Sequence, residues 1–384
     1  MKHIIFFVSG GLLGFLAWGN HIAFTLLSPL LFLAYFQIPK RAYMYLFALG
    51  YYLASSRGLL FGTATYYNDF KTGLMLWSSV AFVVSLPWII FWSNEKKKRY
   101  ILFLFALAAS ILPPFGFVSW NNPLPSAGLI FPGTGFFGFI FLLLLIYIAS
   151  YIIDKKKEIE PFKLIYAYIL LLSITACGSI LYSPKGEEIN AVQTAFQYDP
   201  DKPDRLKDYM RITKYLEIVQ LSKENEILLP ENALGFYQES QRVAWETMPD
   251  QKTVFAGGYI YHTGTNQYDN ALLQIDKNST KILYRQRVPV PVSMWRPFTE
   301  EGAAATIYKD PVIKIGEKSV GVLICYEQLI TYVVMQTMFY HPDRIYGISN
   351  LYWSAGTSIE QIQRETLDLY GLLFGVDIYF SVNQ

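Results

Sequence analysis

The chain has 384 residues, 53% of them hydrophobic and only 16% charged, against about 25% charged in a typical soluble chain. Its net charge of +2 is near balance, and no tract is basic and aromatic enough to serve a nucleic acid. Two cysteines, Cys177 and Cys325, make no disulfide framework, and His3, His21, His262 and His341 fall at no metal-ligand spacing, so neither a metal nor a cofactor is expected.

The first half of the chain reads as membrane. Apolar runs occur at about 4–19, 22–38, 42–62, 74–93, 100–118, 134–153 and 164–182. A helix needs ~20 apolar residues to cross a bilayer core, so seven spans are expected in a multi-span helical bundle over residues 1–183. Lys2 before a short first run also fits a signal peptide. Trp18, Asn20 and His21 stand where small cleavage-site residues belong, so an uncleaved span is expected. The basic clusters Lys40-Arg41, Lys96-Lys97-Lys98-Arg99 and Lys155-Lys156-Lys157 fall in alternate loops, with Arg57 and Lys71 as exceptions between them. The positive-inside rule places those clusters in the cytoplasm and everything after Ser183 outside.

After Ser183 charged residues become frequent and strand and helix patterns alternate. Strands are predicted at 189–197, 226–230, 253–261, 270–276, 281–288, 318–326, 344–349 and 378–382. Helices are predicted at 202–224, 328–339 and 358–374. Such alternation argues a layered α/β domain over 184–384.

Chemistry concentrates at three strand ends. In Leu228-Leu229-Pro230-Glu231-Asn232 a carboxylate follows a buried-type strand. Partly desolvated there, it has a raised pKa suited to a general base, although a helix cap or loop ion pair uses the same pattern. In Val322-Leu323-Ile324-Cys325-Tyr326-Glu327 a thiol ends an apolar strand and enters a helix. That position favours thiolate and offers backbone N–H groups to an oxyanion, although cysteine is also a common core residue. In Tyr284-Arg285-Gln286-Arg287 two arginines flank a glutamine; in isolation this is an exposed strand end.

Together and in this order, the three segments resemble the nitrilase (carbon–nitrogen hydrolase) superfamily. Gly321-Val322-Leu323-Ile324-Cys325-Tyr326-Glu327 is similar to its G-x-x-I-C-Y-E pattern, and Pro230-Glu231 to its P-E strand end. Ala191-Val192-Gln193, Asn270-Ala271 with Ile275-Asp276, and Ser349-Asn350 with Trp353 add further matches. With the membrane half included, nearly the whole chain resembles bacterial apolipoprotein N-acyltransferases, through Leu112-Pro113-Pro114-Phe115-Gly116 and Gly133-Thr134-Gly135. Pro289-Val290-Pro291-Val292-Ser293-Met294-Trp295 is similar to the conjugal-transfer TraB branch.

The resemblance implies an αββα sandwich on the periplasmic side of a bacterial inner membrane. It implies Glu231 as base and Cys325 as nucleophile, with Glu327 and the family's lysine position completing the catalytic set. Arg285, Arg287, Tyr326, Asn350 and Trp353 are the implied substrate-binding residues. The implied partners are a phospholipid or other acyl donor and an amine acceptor such as a lipoprotein N-terminus, with conjugation components beside them. Three departures bear on this. Gln286 stands where the family has its lysine, and Met294 where the acyltransferases have glutamate. The match stops at Gln384, so the family's last strands and closing membrane helix are expected to be missing. Two readings stay open: an acyltransferase or amidase using Cys325, and a catalytically silent relative serving as an assembly or binding module in conjugation.

Overall fold

A computed structural model describes residues 1–155, 189–196 and 205–384. The predicted span at 164–182, with Cys177, Lys156, Lys157 and the boundary at Ser183, lies outside the described residues. The chain divides into two compact units. One comprises 1–184, 329–332 and 356–376; the other comprises 185–328, 333–355 and 377–384. The division is therefore not a single cut near residue 183, because the second half of the chain returns two segments to the first unit.

The first unit is helical. The run at 4–19 forms α1 (Lys2–Ala17), and that at 22–38 forms a 3-10 turn (Ile22–Leu27) followed by α2 (Leu30–Gln37). The run at 42–62 is broken at Ser56 into α3 (Arg41–Ser55) and α4 (Arg57–Tyr67). Helix α5 (Phe70–Ile90) starts four residues earlier than the apolar run, because the Asp69 side chain accepts from the backbone N–H of Lys71 and Thr72 at 3.1 and 3.0 Å. The basic cluster expected as a loop instead forms the first turn of α6 (Lys96–Ile111). Its Arg99 is buried, donates to the carbonyls of Phe36 in the last turn of α2 and Ile38 at its cap, and lies over the Trp92 ring at 4.1 Å. A short α7 (Ala127–Ile130) precedes α8 (Phe136–Lys155). Only α5 and α8, at 21 and 20 residues, are long and apolar enough to cross a membrane among the described residues.

Small residues set the helix packing. Helices α1 and α3 meet so closely that a Cβ on Gly10 or Gly14 would fall 2.0 Å from the Phe47 carbonyl oxygen or 2.2 Å from that of Tyr51. Large apolar side chains remain exposed along α8, among them Phe137, Ile140, Leu144 and Ile148. Residues 359–374 also belong to this unit. The Leu372 and Leu373 carbonyls accept from the backbone N–H groups of Gly133 and Gly135.

The second unit contains two sheets. Sheet one runs β1 (Ile189–Ala191), β3 (Glu226–Leu228), β4 (Thr253–Tyr261), β5 (Asn266–Asp276), β6 (Ser279–Arg285), with β7 (Glu301–Ala303) added on β5. Sheet two runs β2 (Gln193–Thr194), β11 (Asp377–Asn383), β10 (Arg344–Asn350), β9 (Lys318–Ile324), β8 (Val312–Ile315). The strand predicted at 189–197 is two short strands that change sheets at Val192.

Strand alternation builds the layers. Ile227, Val254 and Ala256 pack in one core with Ile212, Tyr215 and Val219 of α9 (Arg205–Leu221). Phe255, between the last two strand residues, turns to the other face, where its ring meets Tyr346 of β10 at 5.4 Å. Arg344 of β10 pairs with Glu226 of β3 at 2.9 Å between the same two sheets. On the far side of sheet two, a Cβ on Gly321 of β9 would meet Thr337 at 2.6 Å, so α11 (Thr331–Phe339) covers that face from Val333 onward. The order helix, sheet, sheet, helix agrees with the expected sandwich. Helix α10 (Arg242–Trp245) is one turn that buries Trp245 in the α9 core. The remaining helix, α12 (Ile359–Phe374), is the segment counted with the first unit.

Candidate active site

Glu231 lies just past the end of β3, in a turn that sits directly against β4. A Cβ on Gly257 of β4 would stand 2.5 Å from the Glu231 Cα, so only glycine admits this approach. The turn is fastened there by hydrogen bonds from Gly257 N to the Pro230 carbonyl and from Leu234 N to the Gly257 carbonyl.

The Glu231 carboxylate is 4% exposed and receives neutral donors. Asn270 Nδ2 donates to Oε1 at 2.6 Å, and the Asn350 backbone N–H donates to Oε2 at 2.9 Å. The Cys325 thiol donates to the same carboxylate. Burial pushes the Glu231 carboxyl up to about 7; these three hydrogen bonds oppose the rise and nearby Glu327 adds to it. A carboxyl poised near neutrality beside a thiol can exchange a proton with it at working pH.

Cys325 follows β9 with a backbone φ of +51°, in the left-handed region. It opens a 3-10 turn over Cys325–Gln328, and α11 begins only at Thr331. The sequence reading placed the thiol at the helix start; the turn intervenes instead. A non-glycine residue in this region costs roughly 1–3 kcal/mol and persists only where its surroundings impose it. Glu327 and Gln328 do so. Glu327 Oε2 accepts from the Ile324 N–H at 2.8 Å, and Gln328 Nε2 donates to the carbonyls of Leu323 and Ile348, both at 3.1 Å.

Glu327 is wholly buried. Its Oε1 accepts from the backbone N–H groups of Arg287 (2.7 Å) and Val288 (3.2 Å), and both oxygens are within reach of the Tyr284 hydroxyl. Burial raises its pKa, opposed by Arg287 and these N–H donors. Its geometry is that of a fastener between the Cys325 turn and the segment 284–288.

Gln286 is 1% exposed. Its Nε2 donates to the Ile324 carbonyl at 2.9 Å, and its Oε1 accepts from Asn270 Nδ2 at 2.9 Å. The position that the resemblance assigns to lysine is therefore turned inward, linked to Glu231 through Asn270 and to the residue before Cys325. The flanking arginines are committed elsewhere. Arg285 pairs with Asp269 at 2.5 Å, and Asp269 also meets His262 at 3.0 Å. Arg287 is buried, with Nε donating to the Tyr284 hydroxyl, Nη1 to Gln336 and Nη2 to Thr337. Both were expected as substrate-binding residues; Arg287 has no surface to offer a substrate.

Of the other residues singled out in the sequence, Asn350 enters the site through its backbone. Its Oδ1 accepts from Asn383, and its carbonyl accepts from Trp353 Nε1 at 3.2 Å. Tyr326 and Trp353 are half-buried. Met294 lines a cavity of about 360 Å³ with Phe236, Tyr261, Tyr268, Arg296 and Glu301. Asn270 and Gly257 were not foreseen as site residues. A buried asparagine within the apolar strand Asn270-Ala271-Leu272-Leu273 was the available signal for the first; no sequence feature marked the second. Among the described residues, no group of three His, Cys, Asp or Glu side chains is placed to hold a metal.

No protein-family model matches the chain. Among solved structures, it is similar to a carbon–nitrogen hydrolase of Helicobacter pylori (12% identity, 51% of this chain and 72% of that one, TM-score 0.37). A similar likeness is found to an amidase of Nesterenkonia (16% identity, 51% and 75%, TM-score 0.33). Sequence similarity is far more extensive. The conjugal transfer protein TraB of Agrobacterium fabrum is 29% identical over 392 aligned positions, 96% of this chain and 90% of its own length. The probable conjugal transfer protein TraB of Sinorhizobium fredii is 31% identical over 356 positions, 88% of this chain and 87% of its own. With that identity carried across almost the full length of both chains, the protein belongs to the conjugal transfer protein TraB family.

Proposed function

We propose that this chain is a membrane-bound enzyme of the acyltransferase or amidase type, acting through a thioacyl intermediate on Cys325. The single observation that carries the reading is the buried Glu231–Cys325 hydrogen bond, with Glu231 titrating at about 7. Glu231 takes the thiol proton and the sulfur attacks an acyl carbonyl, forming the S–C bond. The leaving group departs with the proton that Glu231 holds. An amine or water then attacks the thioester and returns a proton to sulfur. A phospholipid or another lipid or amide is the acyl donor in this reading, and a lipoprotein N-terminus is one acceptor.

The membrane placement is part of the same proposal. The exposed apolar faces of the first unit support it, as does the alternation of basic clusters, with the second unit on the periplasmic side of the inner membrane. Mass spectrometry of protein purified from membranes tests the chemistry. An acyl mass on Cys325 that disappears in Glu231→Gln is expected; an unmodified Cys325 under every donor tried sinks the reading.

A second reading is favoured by one observation, the neutral Gln286 at the position where the resemblance has a cation. In it the chain is a silent relative serving as an assembly or binding module in conjugation, the process named for its TraB relatives. Transfer frequency separates the two. Cys325→Ala should abolish conjugation if the enzyme is required and leave it unchanged if the chain only assembles with other components.

A further inference from the structure

The ligand shell of Glu231 is unusual in its charge. Among the described residues, every hydrogen bond to this buried carboxylate comes from an electrically neutral donor: the Asn270 amide, the Asn350 backbone N–H and the Cys325 thiol. The charge that acts on it most directly is a second carboxylate, Glu327. The two nearby guanidinium groups are held by Asp269 and by Tyr284, Gln336 and Thr337.

Two unpaired acceptors belong to residues that adjoin Glu231, Asn270 by a hydrogen bond and Asn232 in the chain. The Ile324 carbonyl requires the amide nitrogen of Gln286, which turns the Gln286 oxygen toward Asn270. Asn270 must then present its nitrogen, and both of its N–H bonds are used, one on Gln286 and one on Glu231. Its Oδ1, fixed on the same planar amide, is left beside the carboxylate, buried and without a hydrogen-bond partner. Asn232, adjacent in the chain, has a second buried Oδ1 with no partner. A carboxylate with no cation against it and two amide oxygens in want of donors match a group that has several N–H bonds and no acceptor.

We propose that this site selects a ligand that brings its own N–H-bearing cation, a primary ammonium above all, and that Gln286 determines this specificity by leaving the Glu231 carboxylate without a positive partner. The inference rests on the reading of Glu231 and Cys325 as the reactive pair. The cation lies against Glu231 and donates to the spare acceptors, which orients the reacting carbonyl or amine over Cys325. A lysine at 286 would occupy the same ground and repel such a group.

Charged thiol reagents of matched size test the inference on full-length protein in detergent, with Cys177→Ser as background. Aminoethyl, trimethylammonioethyl and sulfonatoethyl methanethiosulfonates each form a mixed disulfide with a thiolate and release methanesulfinate. In wild type the aminoethyl reagent should modify Cys325 about tenfold or more faster than the sulfonate, since a buried charge acts through a low effective dielectric. The trimethylammonio reagent, a cation with no N–H, should fall between them. Gln286→Lys should erase or invert the preference, while the neutral Gln286→Met keeps it. Each ratio is internal to one variant, so a change in basal thiol reactivity cancels. Equal rates for amine and sulfonate in wild type overturn the proposal, as does a preference that survives Gln286→Lys. Inertness of Cys325 to all three reagents in the folded chain also overturns it. An acyl adduct on Cys325 with equal reagent rates would keep the enzyme reading and discard this one; a strong preference without any adduct would do the reverse.

Discussion

At the scale of single residues, the site depends on a backbone contact as much as on its reactive groups. Gly257 lets β4 touch the turn that carries Glu231, with 2.5 Å left for a Cβ that is not there. In Gly257→Ala that turn must move. Misplacing a catalytic group by about 1 Å can cost on the order of a hundredfold in rate. The expected outcome is a loss of that order in Cys325 acylation, or in its alkylation where acylation is not measurable, with circular dichroism unchanged. Glu231 itself makes a pH prediction. Its folded-state value near 7 lies above the usual 4.5. Protonated Glu231 therefore favours the folded chain, fully below about pH 4.5, and this contribution is lost as pH rises through 7. Denaturant titrations of wild type and Glu231→Gln should show the variant gaining on wild type between those limits. A constant difference across that range would rule out the raised value.

At the scale of elements, the sequence was informative wherever periodicity met a buried layer. The strands at 253–261, 318–324 and 344–350 were legible because the first alternates between two packed faces and the others hold short apolar runs, 320–324 and 345–348, buried on both faces. Strands β7 and β8 were missed: three or four residues hold too little pattern, and β7 exists through pairing with β5 and a bridge to Trp295. The run at 189–197 hid a change of sheet, since alternation reports burial but not which neighbour supplies it. Of the candidate site, Glu231 and Cys325 were marked by their strand ends and Gln286 only by the family resemblance. Asn270 and Gly257 were not, because their roles arise from contacts 39 and 26 positions away in the chain, Asn270 to Glu231 and Gly257 to Glu231. The helical unit makes its own prediction. Gly10 and Gly14 bring α1 against the α3 backbone, so Gly14→Leu should separate the helices and lower the yield of folded protein in membranes. Exposed Leu12→Ala should have little effect, and equal yields from the two variants would contradict the close packing.

At the scale of the whole molecule, the strongest prediction concerns topology. Successive basic clusters at 40–41, 96–99 and 155–157 are each separated by two apolar runs of the sequence, although Arg99 also has a structural use in closing the end of α2. A periplasm-dependent reporter joined after Ser183 should be active, and one joined after Asn94 inactive. The opposite pattern would show that the orientation is inverted, and the same outcome at both sites would show that the number of spans between them differs from three by an odd number. Membership in the TraB family makes the conjugation phenotype of a Cys325→Ala strain the most direct measure of whether the chemistry is used at all.

The second sheet has a consequence in time. Its strand β11 lies between β10 and β2, and Asn383 ties Thr194 and Asn350 together through its side-chain amide. Thr194 and Asn383 are 189 positions apart. At ~5–20 residues per second of synthesis, β2 emerges roughly 10–40 s before its partner exists. Until then Asn350 lacks the amide that steadies it, and Asn350 supplies one of the N–H groups that hold Glu231. On the proposed reading, a nascent chain already containing Glu231, Gln286 and Cys325 is thus expected to be inert, Cys325 and Glu231 coming into register only as the first and last strands of the sheet meet.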